Sequence, residues 1–167
     1  MSMPGDSADA SPQLIAFRAE LDPLYAAYLE MQVALAADDA EGAASAIAAM
    51  TLALEGPGGE ALEPTQRTTW TEEREALRVT LERMEGEIEA LREAFEDVSS
   101  SILILAGQLG HAQQGELHEA YCPMAFDDKG AAWLQAGETI ANPYFGASML
   151  RCGVVRRSFA GASAAED

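Results

Sequence analysis

Between residues 77 and 109, apolar side chains recur in an unbroken 4-3 rhythm: Leu77, Leu81, Met84, Ile88, Leu91, Phe95, Val98, Ile102, Leu105 and Leu109. That spacing lines one face of a helix, whereas in a strand the same residues would scatter to both sides. The stretch must therefore be amphipathic helix, and its apolar face needs other helices to cover it. Gly86, in "MEGEIE", is the one internal breaker. A glycine costs a helix interior about 1 kcal/mol and forces no turn by itself. Globular helices, however, average about 10–14 residues. We therefore expect two helices separated near Gly86. The alternative is one very long helix.

Upstream, Ser11 is a suitable N-cap and Pro12 fits the first helical position. Leu14, Phe17, Leu21, Leu24, Tyr28, Met31 and Leu35 then keep the 3-4 spacing of a second core stripe. Pro23 lies inside it and predicts a kink or a second start, because it removes a backbone donor. Asp39 is a candidate N-cap for a helix carrying Ala44, Ile47, Met50 and Leu54. "EGPGGEALEPTQ" (55–66) reads as a breaker loop. Thr69 with Glu72 offers a capping box for the next helix, and Gly110 a C-terminal stop after Leu109. The expected fold is all-α: an up-and-down bundle of four helices over 12–110, with three helices as the alternative. A long irregular loop over 111–156 completes a single domain, between a flexible arm (1–11) and a flexible tail (157–167).

The charge balance narrows the partners. There are 28 Asp+Glu against 10 Lys+Arg, a net charge of -18. A field of that sign repels nucleic-acid phosphates and anionic membrane surfaces and attracts cations. No apolar run reaches the roughly 18 residues of a membrane span. The first residues, "MSMPGDSADASP", lack the basic and apolar regions of a signal peptide.

After Leu109 the helical period vanishes. Residues 110–156 are rich in Gly, Pro, Asn and aromatics, with at most short helices or strands expected. Long irregular segments in compact domains are usually functional. This one holds both cysteines: "YCPM" (121–124) and "MLRC" (149–152). Cys122 precedes a proline and is biased to extended backbone, where Cys122 and Met124 would share a side. Met149 and Cys152 share a face on one helical turn. Two thiols and two thioethers are soft ligands, suited to Cu(I) or Ag(I). Zinc, using His111 and His118 with the cysteines, fits less well, because the spacing matches no compact finger. A Cys122–Cys152 disulfide closing a 30-residue loop would stabilise the fold by about 3–4 kcal/mol, and simple core packing also remains open. His118 is a further candidate ligand or an ordinary polar residue. Trp133 and "NPYFG" (142–146) either shield the sulfurs or cap the bundle. Asp127, Asp128 and Lys129 read as a solvated turn. The chain carries no GxSxG, P-loop, HExxH or CxxCH, so no enzyme activity is expected.

"YCPMAFDDKGAAWLQAGETIANPYFGASMLRCG" (121–153) resembles a bacterial domain family of unknown function. Its signature runs CPM, then Trp-Leu, then NPYxG, then MLxCG. "IEALREAFEDVSSSI" (88–102) is similar to that family's preceding helix, with an Arg-x-x-Phe-x-x-x-Ser core. Members are exported proteins, or domains attached to periplasmic adaptor subunits of RND-type copper/silver efflux systems. The resemblance implies a helical bundle, an extracytoplasmic location and an association with heavy-metal efflux. It aligns Cys122, Met124, Met149 and Cys152 with the family's sulfur positions, and Asn142, Pro143, Tyr144 and Gly146 with its turn. The expected function is soft-metal binding with handover to an efflux adaptor or other envelope partner. The alternative is a protein-interaction bundle clasped by a Cys122–Cys152 disulfide.

Overall fold

The computed structural model describes residues 10–161. Four long helices come first: α1 (Pro12–Ala36), α2 (Ala40–Ala53), α3 (Pro64–Glu82) and α4 (Ile88–Gln108). Their ends follow from local chemistry. The Ser11 side chain accepts the Leu14 N–H at the start of α1, and Asp39 accepts from Gly42 at the start of α2. Helix α3 begins earlier than Thr69. Pro64 takes its first position, and Glu63 with Gln66 forms the capping box. Helix α1 runs through Pro23 as one element. The chain turns between α3 and α4 at Gly86, whose φ is +102°. At the end of α4, Gly110 (φ +83°) donates its N–H to the carbonyls of Leu105 and Ala106.

The helices pack as the pairs α1–α2 and α3–α4. All seven residues of the first stripe are buried. So are those of the 77–109 stripe, Ile88 only partly. In α2 the buried residues are Ala43, Ala46 and Met50, followed by Leu54 at its C-cap, so the buried face is shifted from Ala44 and Ile47. Trp70 closes one end of the core, edge-on to Phe17 at 5.5 Å, with its indole N–H donated to the Pro57 carbonyl.

The chain is not all-α. Residues expected to be irregular form a three-stranded antiparallel sheet in the order β2-β1-β3, built from β1 (Leu117–Cys122), β2 (Ala131–Gln135) and β3 (Val154–Phe159). Strand β3 takes in 157–159, which the sequence reading placed in the tail. The arm and tail residues 1–9 and 162–167 lie outside the described residues. A four-residue turn, α5 (Ala125–Asp128), follows β1, and a 3-10 turn, Gly146–Met149, precedes β3. Strand β1 is central. It pairs Cys122 with Ala131 on one side and Tyr121 with Val154 on the other. Strand β2 lies on α4 and α1 and joins the sheet to the helices.

Candidate functional site

The sheet is held to the helices by polar groups that emerge from the apolar stripes. On α4, Arg92, Phe95 and Ser99 occupy positions i, i+3 and i+7 and so share one face. Phe95 stacks on Tyr28 of α1 at 5.0 Å and lies 5.9 Å from Tyr144. The Tyr28 and Ser99 hydroxyls share a 2.7 Å hydrogen bond, and the Leu134 N–H of β2 donates to the same Tyr28 oxygen at 3.0 Å. Burial pushes the Tyr28 hydroxyl far above its ordinary pKa, so it stays a neutral donor and acceptor.

Arg92 anchors the Asn142–Gly146 turn. It donates to the Pro143 carbonyl (2.8 Å), the Leu35 carbonyl at the end of α1 (2.6 Å) and Asp38 Oδ1 (2.7 Å). The other Asp38 oxygen accepts the Ala147 N–H. The Arg92 hydrogen bond, then that of Ala147, holds the Asp38 carboxyl below its usual range. Gly146 (φ +61°) is required here, because a Cβ would collide with Asp38 and Arg92. Asn142 is fully buried. Its side-chain oxygen accepts the N–H groups of Tyr144 and Phe145, and its amide nitrogen donates to the Cys152 carbonyl at 2.8 Å. Gln32 reaches the Ala141 carbonyl, and Gln135 bonds Gly137, Thr139, Ala141 and Trp133. These bonds tie the loop to α1, α4 and β2 at several points.

That scaffold brings the two cysteines together. Cys122 ends β1 and is fully buried, while Cys152 lies just before β3 and is half-buried. Their sulfurs are 2.7 Å apart, inside non-bonded contact, and no S–S bond joins them. The hydrogen bond with Cys122 raises the Cys152 thiol pKa, with burial and the neighbouring sulfur acting in the same direction. The Met124 N–H on Cys152 partly offsets them. Gly153 (φ +144°) lets the chain pass close to Trp133 and Tyr121, where a side chain would not fit.

The methionines are placed differently from the sequence expectation. The strand ends at Cys122, and the chain turns at Pro123 and Met124. Met124 has helical backbone (φ −92°, ψ −7°) instead of extending Cys122's strand. Its side chain is 46% exposed while Cys122 is buried, so the two do not share a side. Met149 and Cys152 do lie in one turn, closed by the Cys152 N–H on the Met149 carbonyl at 3.1 Å, and Met149 is half-buried. After Met124, Phe126, Asp127 and Asp128 all have positive φ, a left-handed turn that sets Phe126 against Tyr144 at 5.3 Å. A groove of about 500 Å³ opens there, with Glu89, Glu93, Met124, Phe126, Asp127 and Asp128 along its walls.

Both histidines are engaged elsewhere. His111 donates through Nε2 to the Phe159 carbonyl and accepts the Gln113 N–H at Nδ1, which fixes a neutral ring. His118 bonds Ser158 at the far end of β1, four residues from Cys122, a rise of about 13 Å. The Cys2His2 zinc arrangement is therefore not assembled. Among the described residues no group of three or more His, Cys, Asp or Glu side chains is placed to hold a metal.

Sequence reasoning placed Tyr28 in the core stripe without its hydrogen bonds, and missed the supporting Gln32, Asp38 and Gln135. Arg92 and Ser99 were visible only through the family resemblance. A usable signal was present: polar residues standing on, or next to, otherwise apolar helical stripes.

A family model described as a protein of unknown function, DUF3347, matches residues 24–114. That is over half of the chain. The chain belongs to the DUF3347 family. The match runs from the middle of α1 through α4 and ends before β1, so both cysteines lie outside it. The family description names no activity. No curated protein and no solved structure is similar to this DUF3347 chain. None of the described helices is long and apolar enough to cross a membrane.

Proposed function

We propose that this DUF3347 chain is an extracytoplasmic capture module for a soft monovalent cation, Cu(I) or Ag(I). Reduced Cys122 and Cys152 would be the primary ligands, and Met124 and Met149 the neighbouring thioethers. The single observation supporting it is the convergence of two cysteines, 30 residues apart in sequence, one buried and one half-buried, at the end of β1 and just before β3. Thiolate and thioether select soft cations over the hard ones that an acidic surface would otherwise collect. Binding would require the sulfurs to separate, because metal–sulfur bonds of about 2.3 Å span more than 2.7 Å between two ligands. Cys152, the half-buried one, would have to turn its side chain while its backbone stays bonded to Asn142 and Met149. Handover would go to an efflux adaptor or another envelope protein.

The 2.7 Å separation favours a second reading, in which the same pair closes as a disulfide and the domain serves as a protein-interaction module. The two readings exchange with redox state and are separated by one experiment. The fully reduced chain is titrated with Cu(I) against a chromogenic chelator, in parallel with the oxidised chain, Cys152→Ser and Met149→Leu. One Cu(I) per reduced chain, abolished by Cys152→Ser and weakened by Met149→Leu, supports capture. No uptake by the reduced chain leaves the disulfide module.

A further inference from the structure

We propose that the free edge of β3 is a docking site for an extended, acidic segment of a partner protein, which adds a fourth strand to the sheet. This does not depend on the cysteine pair. Among the described residues β3 pairs with no strand but β1, which is also its principal packing partner, while its last carbonyl, that of Phe159, is bonded by His111. Over Val154–Ser158 its other edge faces no described strand, so the backbone groups that do not bond β1 are available to a further strand, with an irregularity at Arg156 where the pairing with Glu119 and Ala120 shifts. Val154–Phe159 contains no proline or glycine, its bulge lies opposite Glu119 and Ala120, and Val154 (59%) and Val155 (38%) expose apolar side chains on its two faces.

Charge selects the occupant. The chain carries -18 overall, yet two adjacent arginines, Arg156 and Arg157, stand on this one strand. Both bond the same carboxylate, Glu119 of β1, at 2.9 and 2.6 Å, so one positive charge is left over. A guanidinium has five N–H donors, and each of these gives one to Glu119. The rings of Tyr121 (4.3 Å) and Phe159 (4.8 Å) hold the two guanidiniums in place. They are thus ordered before a partner arrives, which lowers the entropy lost on binding. A second copy of β3 is a poor occupant. Pairing Val154–Phe159 antiparallel with itself brings Arg156 and Arg157 opposite, or next to, their own copies, and like charges across strands are unfavourable. A strand with carboxylates facing the arginines and apolar residues facing the valines meets both requirements.

The test uses the full chain and two labelled peptides of roughly eight residues. One alternates Val/Thr with Glu, and its twin has Lys in place of Glu. The acidic peptide should bind about five- to tenfold more tightly than the twin in fluorescence anisotropy. It should also slow amide exchange across Val154–Phe159. The preference should disappear in R156Q/R157Q. If that variant fails to fold, high salt on the unaltered chain should remove the preference instead. Equal binding of the twins, unchanged exchange in β3, or a dimer that itself protects β3 would overturn the proposal.

Discussion

At the residue scale, the platform depends on a few polar side chains doing what apolar ones cannot. Arg92 is the clearest. Replacing it with alanine leaves the Pro143 and Leu35 carbonyls without their donor and frees Asp38, so Arg92→Ala should cost roughly 3 kcal/mol in urea denaturation. Arg92→Lys should recover little of that, because an ammonium cannot reproduce the three-way fork. His111 carries a pH prediction. Burial lowers its pKa, with the Phe159 carbonyl only partly opposing. The unfolded chain then binds a proton that the folded chain refuses, so this contribution is full above the unfolded value of about 6.5 and is lost as pH falls towards the folded value. The urea midpoint should drop between pH 7 and 5.5 in the unaltered chain, and the slope should flatten in His111→Gln. Glu119 adds a more acidic phase. Burial alone would raise its pKa, but the hydrogen bonds of Arg156 and Arg157 outweigh it and hold the carboxyl low. Its contribution is therefore present above the ordinary carboxylate range and lost below it.

At the element scale, helices were legible and strands were not, for a physical reason. The helical stripes repeat every three to four residues over long spans, and the caps at Ser11, Asp39 and Gly110 carry their own chemistry. Strand β1, "LHEAYC", has no β-branched residue and is buried on both faces, so neither propensity nor alternation marks it. It is a strand because Tyr28, Arg92 and Gln32 secure β2 and the 141–147 turn, and β1 fills the space between β2 and β3. The cysteines were legible as a pair by motif, but the exposure of Met124 was not, because it depends on the left-handed turn that follows. Two glycines test the joints. At Gly86 a Cβ meets little, so Gly86→Ala carries backbone strain alone, about 1 kcal/mol. At Gly146 the same strain is joined by collision with Asp38 and Arg92, so Gly146→Ala should destabilise markedly more. Thermal melts of the two variants side by side would check the order.

At the scale of the whole molecule, a helical platform that lies mostly in the family-matched region supports a sheet beyond it, and the sheet brings together two cysteines, one buried and one half-buried. Oxidation offers a global check. Closing the 30-residue loop should raise stability by about 3–4 kcal/mol, and Cys122→Ser should remove the difference between oxidised and reduced samples. The net charge of -18 predicts that moderate salt stabilises the fold by screening self-repulsion. The central claim is that the thiols act together as a soft-cation site. Copper K-edge X-ray absorption on the reduced, Cu(I)-loaded chain tests it most directly. The account predicts a first shell of at least two sulfurs at about 2.3 Å. A shell made of nitrogen and oxygen, or copper that washes off the reduced chain, would contradict it.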